Sequence, residues 1–420
     1  MQKDIKEKAH EIIRLGEKHV KTDMLYLVRA GFWSNINSGV ITLFSLVLYI
    51  AYAHFLSKEA YGTYQFLLSF FSIATGFTLT GMNSALTRAV AQGKEGTIRA
   101  SIPLQIKFGI IPFLGAVGFA AYYYLQGNSM LAFGLVAIGI LTPLLYAYNS
   151  FNSYFVGKKD FKNSTLYSVA GNALYYPVLI AAAFFSGSPL LLLIANLGIQ
   201  VAINAGLYVV MLKRHRPNRE VDQESLKYGM HLSFMSSLSS ITSQLGGIFI
   251  FHFLGAVPLA LYSFANAGPE RLGNLFFKFL NNALLPKFSE RNAEEIRATL
   301  IPKMWWAFGV GSGVGLFYAA LAYPFFMIFF PTYLDAVPYS LLCALGLAIG
   351  TPLYLPTTAL TALQNTKGLY IYNGAMPVAQ TVLPLAGIFL GGLWGYIVGL
   401  LLTTLFAVVL STVLVFRTGK

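Results

Sequence analysis

The chain has a single cysteine in 420 residues, charged residues make up only 11% of it, and 16 acidic residues stand against 29 basic ones. One cysteine, Cys343, excludes an internal disulfide and any cysteine-built metal site. The six histidines show no HExxH-type ligand spacing, so no metal is expected. Charge this sparse, against roughly 25% in soluble domains, cannot cover the surface of a water-soluble protein of this length, which excludes a soluble enzyme. The short alternating segments of an outer-membrane barrel are also missing, since Leu190-Leu191-Leu192-Leu193-Ile194 is continuous hydrocarbon. Met1 to Val20 lacks an apolar core and a small-residue cleavage site, so no secretory signal is expected there.

What is present is apolar: 56% of the residues are hydrophobic. They gather into about twelve stretches of the roughly 20 residues needed to cross a hydrocarbon core. These lie near residues 34–56, 63–83, 103–125, 130–152, 165–185, 189–212, 230–254, 258–285, 304–326, 336–360, 368–389 and 392–416. A spanning segment must satisfy its own backbone in lipid, so each is expected to be a helix, and the fold class is an all-α polytopic membrane protein. With the N-terminus inside, 26 of the 29 basic residues fall on cytoplasmic segments and Lys58 alone falls outside. That asymmetry is the positive-inside pattern and puts both termini in the cytoplasm of a plasma (inner) membrane. It also argues against nucleic acid, which would gather basic residues and stacking aromatics on one soluble face. Residues 1–30 carry Ile5, Ala9, Ile12, Ile13 and Val20 at helical spacing among lysines, which reads as an amphipathic helix on the inner lipid surface. A solvated polar tail is the plainer alternative.

The two halves of the chain repeat. Residues 54–90 laid over 252–288, an offset of 198, match His54-Phe55-Leu56 with His252-Phe253-Leu254. Tyr64 then meets Tyr262, Phe66 meets Phe264, Asn83 meets Asn281, and Ala85-Leu86 meets Ala283-Leu284. In the first stretch Asn35, Ser38, Thr42 and Ser45 share a helical face, and the same offset yields Ser233, Ser236, Ser240 and Ser243 in the seventh. Such stripes serve either close helix packing or the lining of a polar cavity. Six spans per half give both the same orientation, so two six-helix bundles, 31–212 and 230–420, are expected about an axis along the membrane normal. Residues 213–229 are the basic linker between them.

Three ionisable residues other than histidine lie well inside a span, Glu270, Arg271 and Lys278, all in the eighth stretch. An arginine at the bilayer centre costs about 2.5–3.5 kcal/mol even on the lenient scale, so it should face protein or water and have a partner. One carboxylate can pair with only one cation, so the group carries one net positive charge suited to an anionic ligand. Gly268-Pro269 just before it is expected to break or kink the helix.

The segment "HFLSKEAYGTYQFLLSFFSIATGFTLTGMNSALTRAVA", with Tyr61, Gly62, Tyr64, Gly81, Ala85 and Arg88, resembles the polysaccharide and oligosaccharide (Wzx-like) flippases. These belong to the superfamily that also holds the lipid II flippase and the MATE drug antiporters. "FLGAVPLALYSFANA", "NNALLPKFS", "FFPTYLDAVPYSLLCALG" and "TALTALQNTKG" extend the resemblance over nearly the whole chain from Gly31. It implies alternating-access translocation of a polyprenyl-pyrophosphate-linked oligosaccharide from the inner to the outer leaflet, for cell-surface polysaccharide assembly. Arg271 would then anchor the headgroup, with Lys278, Arg88 and Glu270 beside it, and Asn35, Ser38, Thr42, Ser233, Ser236 and Ser240 would meet sugar hydroxyls. Expected partners are the lipid-linked oligosaccharide, membrane lipids and the glycosyltransferases or polymerase of the same pathway, with the protein a monomer. No cofactor is expected, and a coupling ion, if there is one, is Na+ or H+. A MATE-like exporter of organic cations is the alternative, disfavoured because the first stretch has no Asp or Glu. A membrane-embedded polysaccharide polymerase or ligase is the alternative of another class. It would need more than the short outer loops, whose charges are Lys58, Glu59 and Asp335.

Overall fold

A computed structural model describes residues 24–289 and 292–417, with the backbone alone at 24–30, 235–243, 275–287 and 289. The first 23 residues, where the surface helix is expected, lie outside the described residues. Every regular element among the described residues is helical. In chain order they are α1 (Met24–Phe55), α2 (Lys58–Gly76), α3 (Met82–Ala91), α4 (Thr97–Phe108), α5 (Ile110–Leu125), α6 (Ser129–Tyr148), α7 (Phe151–Gly157) and α8 (Phe161–Ser186). There follow α9 (Pro189–His215), α10 (Gln223–Leu254), α11 (Ala256–Ser289), α12 (Ala293–Phe329), α13 (Val337–Gly350), α14 (Tyr354–Ala362) and α15 (Thr366–Arg417).

Eight helical runs among the described residues are long and apolar enough to cross a membrane. The last is 52 residues, or roughly 78 Å if straight, far beyond a hydrocarbon core of about 30 Å. It does not stay straight. Gly391 (φ −155°, ψ 24°) and Gly392 (φ 56°, ψ −132°) leave helical geometry. The second of these torsion pairs is open to glycine and very little else. The two arms then return on each other with Gly387 against the Gly395 carbonyl and Gly399 against that of Leu383. Leu125, Phe185 and Leu390 are more than four-fifths exposed. In lipid such surfaces carry no hydrophobic penalty, which is why they remain uncovered.

The chain forms two compact units, each discontinuous in sequence. Unit 1 holds the described residues to Tyr49, Ala74–Ala182 and Ile194–Ser236; unit 2 holds Ile50–Ile73, Ala183–Leu193 and the chain from Ser237.

In unit 1 the short helix α3 buries Met82, Ala85, Leu86, Ala89 and Val90, spaced three and four apart, against Phe151, Phe155, Tyr208 and Met211. Below it the linker is fastened down. The backbone N–H of Asn218 donates to Glu95 (3.0 Å), the Asn218 side-chain oxygen accepts from the Glu95 N–H (3.1 Å), and its amide donates to the Gly93 carbonyl (2.6 Å). Glu95 is buried and pairs with Lys158. The Asp222 N–H donates to the Thr97 hydroxyl (2.8 Å), and its carboxylate accepts from Ser225 (2.8 Å) and pairs with Lys94 (3.6 Å). The Ser225 hydroxyl holds the Asp222 carboxyl below its ordinary range, and the hydrogen bond to Glu95 raises Lys158.

In unit 2 the turn between α1 and α2 packs against the turn between α10 and α11. Tyr61, Tyr64, Phe264 and Tyr333 are fully buried together; Tyr61 lies 4.9 Å from Phe264, which stacks on Tyr333 at 3.8 Å. Phe66 stacks on Phe251 at 3.9 Å. Gly62 lies so close to the Ala256 carbonyl that a methyl group has no room there. Lys58 pairs with Asp335 at 2.5 Å, and the Thr332 hydroxyl donates to the Ala53 carbonyl at 2.7 Å.

Candidate substrate-binding site

Helix α11 carries the ionisable residues, and its helical assignment is continuous from Ala256 to Ser289, through Gly268-Pro269, where a break or kink is expected from the sequence. Proline has no N–H, so the carbonyl four residues earlier, that of Ala265, loses its helical partner. The Ser340 hydroxyl, from α13, donates to that carbonyl at 2.7 Å, and Tyr318, from α12, bonds Ser340 at 2.6 Å. Gly268 makes room for the Tyr318 ring. The neighbouring helices thus supply the bond that proline removes, and the helix continues.

One face of α11 presents Tyr262, Asn266 and Glu270 at spacings of four. The Asn266 amide donates to Glu270 at 2.9 Å. Tyr262 and Asn266 line a cavity of about 360 Å³ in unit 2, with Gln380, Tyr396, Thr403 and Thr404 from α15 and Cys343 from α13. The Tyr262 and Tyr396 rings meet edge to face at 5.1 Å. Tyr396 places its hydroxyl over Gly246, where any side chain would displace it. Arg271 follows Glu270, half-buried, about 22 Å along the helix from Ala256.

Unit 1 has a cavity of its own, about 210 Å³, between α6–α7, α8 and α9. Asn149, Asn152, Asn172, Tyr175, Gln200 and Asn204 line it, and no charged side chain does. The Tyr175 hydroxyl donates to Asn196 (2.9 Å), Gln200 donates to Asn196 (2.5 Å) and to Tyr175 (3.3 Å), and Asn172 donates to the Ser168 carbonyl (2.9 Å).

A family model described as "Polysaccharide biosynthesis protein" matches residues 27–292, more than half of the chain. The chain belongs to that family. No curated protein matches it. Among solved structures it is similar to a multidrug resistance MATE family transporter of the MOP superfamily in an inward-facing conformation, at 16% identity over 90% of this chain and 96% of that one, with a TM-score of 0.69. An outward-facing conformation of such a transporter matches at 17%, 92% and 94%, with 0.58. A MOP superfamily transporter from Pyrococcus furiosus Vc1, described by a reverse polarity of its binding pocket that suggests a different function, matches at 17%, 92% and 94%, with 0.60. This family member is therefore a multi-pass membrane protein with the fold of the MOP-superfamily transporters.

The residues singled out in the sequence fall in both units of this family member. Glu270 is bonded to Asn266 of the unit 2 cavity and Arg271 follows it on α11, whereas Arg88 belongs to unit 1, exposed near the end of α3 with its guanidinium 6.0 Å from the Tyr228 ring. Asn35, Ser38 and Thr42 share an exposed face of α1, where Thr42 donates back to the Ser38 carbonyl at 2.8 Å. Ser233 is buried instead: it donates to the Gly229 carbonyl (2.6 Å) and accepts from the Gly81 N–H (3.0 Å), the start of α3. Lys278, Ser236 and Ser240 lie outside the described side chains. The unit 1 amides went unnoticed in the sequence, although Asn196, Gln200 and Asn204 recur every four residues in an otherwise apolar helix, which is a polar ladder.

Proposed function

We propose that this protein is a flippase for a lipid-linked oligosaccharide, carrying it from the inner to the outer leaflet by alternating access. The observation that carries the reading is the unit 2 cavity of hydroxyl and amide groups, with Arg271 half-buried on one of the helices that line it, in a member of a polysaccharide biosynthesis family. Guanidinium offers a planar fork of donors that suits phosphate oxygens, and a pyrophosphate is the anionic part of such a substrate. Tyrosine, amide and threonine groups suit a sugar, whose hydroxyls both donate and accept. Arg88 and Lys278 would assist as further cations, and the exposed stripe of Asn35, Ser38 and Thr42 as further sugar contacts.

Export of organic cations, the other reading that the fold admits, calls for a carboxylate facing the ligand. The lining of the unit 2 cavity includes none, and Glu270 is engaged by Asn266. One solved neighbour is itself described by a reversed pocket polarity, so a single fold accommodates more than one pocket charge. The test is complementation of a cell lacking its own flippase. Arg271→Gln, expressed at the level of the unaltered protein, should reduce surface polysaccharide at least tenfold. Full display by that variant, or a gain of resistance to cationic drugs on expressing the unaltered protein, would overturn the reading.

A further inference from the structure

We infer that the cavity of unit 1 is a binding site for an uncharged sugar residue, separate from the cationic region on α11. The flippase reading says that a sugar arrives; this assignment says which residues hold part of it.

Four observations converge on that ligand class. First, the lining includes no charged side chain, although Asn149, Asn152, Asn172, Gln200 and Asn204 all reach it. An anion would find no cation among these residues and a metal ion no carboxylate, whereas a polyol asks for neutral groups of both polarities. Second, each primary amide has two N–H donors and an oxygen with two lone pairs. Their hydrogen bonds within the protein use part of that capacity: Asn172 donates to the Ser168 carbonyl, and Asn204 to the Leu145 carbonyl at 3.3 Å. The acceptor oxygens of Asn172, Gln200 and Asn204 are not consumed by those bonds. Third, Tyr175 is held in place by its bonds to Asn196 and Gln200, which fixes an aromatic ring at the wall. Aromatic faces of this kind receive the C–H faces of pyranose rings. Fourth, a volume of about 210 Å³ is below the roughly 300–1,000 Å³ of sites for drug-sized ligands, so the cavity fits one sugar unit rather than a whole oligosaccharide.

Structural bonding among helices alone would close the amides on each other. Asn196 already serves that purpose: it is buried, is absent from the cavity wall, and accepts from both Tyr175 and Gln200. The remaining amides stand on three separate helical segments and surround open space.

The experiment uses the full chain in nanodiscs and follows intrinsic fluorescence during two titrations. One uses methyl glucoside, methyl galactoside and N-acetylglucosamine, which have neither phosphate nor lipid. The other uses farnesyl pyrophosphate, which has no sugar. The expected result is saturable binding of at least one sugar, weakened tenfold or more by Gln200→Leu with Asn204→Leu, while farnesyl pyrophosphate affinity stays unchanged. Arg271→Gln should do the reverse. Asn204→Gln, which keeps the amide, should bind sugar better than Asn204→Leu, and it separates loss of the site from loss of folding. Absence of sugar binding by the unaltered protein, or equal binding by the double leucine variant, would each overturn the assignment. Failure of farnesyl pyrophosphate to bind, with sugar binding intact, would count against the flippase reading and leave this one standing.

Discussion

The cavity of unit 1 is lined by primary amides from α6 to α9, whereas that of unit 2 is lined by tyrosines and threonines, with Glu270 bonded to its Asn266. Both place polar groups at membrane depth, where an unsatisfied one is costly. They solve that problem differently. In unit 1 the amides bond to backbone carbonyls, to Tyr175 and to Asn196, so polarity comes without charge. In unit 2 polarity rests on distant supports: Ser340 and Tyr318 hold the carbonyl freed by Pro269, and close glycine contacts bring the arms of α15 together. The difference teaches that the unit 2 cavity depends on close glycine contacts within α15, whereas α9, which carries much of the unit 1 cavity, depends on side-chain bonds and has an open glycine at Gly198.

That contrast can be broken most forcefully at the glycines. Gly395→Ala puts a methyl group into the Gly387 carbonyl and should destabilise unit 2 by about 3 kcal/mol, the upper part of the overpacking range, read as a lowered melting temperature in detergent. Gly198→Ala in α9, where nothing lies within reach of a methyl group, should instead stabilise by about 0.5–1 kcal/mol through helix propensity. Equal destabilisation by both would abolish the distinction. Next in size is Ser340→Ala, which leaves the Ala265 carbonyl orphaned and should cost about 1–3 kcal/mol. Hydrogen exchange should quicken along the middle of α11 and stay unchanged in α9; no change in α11 would refute the role given to Ser340.

A smaller effect is expected among the unit 1 amides. A double-mutant cycle on Asn196→Leu and Gln200→Leu should return a coupling of about 0.6 kcal/mol, the mean for hydrogen bonds within membranes, and a value near zero would mean that their contact contributes nothing. The smallest effect lies at the linker. Asp222 has a lowered folded-state pKa, so its contribution is complete above its ordinary value of 3.8 and is lost as pH falls through the folded value. Exchange protection of residues 218–225 should therefore be constant near neutrality and decline only on strong acidification. Asp222→Asn should remove that decline.

Much of the fold was legible because its cause is local. Each of the twelve apolar stretches has helical backbone over it, and the boundary between 368–389 and 392–416 coincides with the glycine pair where α15 turns. The 3-10 turn Thr351–Leu353 between α13 and α14 has a local cause too, with Gly350 just before it and Pro352 within it. The continuity of α11 was not. Pro269 argues for a break, and the group that repairs it sits 75 residues beyond the carbonyl it serves. Ser233 was read as part of a stripe on a helix face, but its burial depends on Gly81, which is 152 residues away. The amide ladder of α9 was visible as a spacing, yet its meaning required Asn172 and Asn149 to arrive from other helices.

The amino-acid sequence by itself determined that this is a helical membrane protein, because hydrocarbon accepts a segment only if its length, apolarity and internal hydrogen bonding meet the requirements of the bilayer. Within that sequence Glu270, Arg271 and Lys278 stand out as charges in one apolar stretch. Tertiary structure alone decided which polar residues are supports and which line space. That choice depends on whether a partner from another helix takes up each hydrogen-bonding group, and spacing along one chain has no information about the partner.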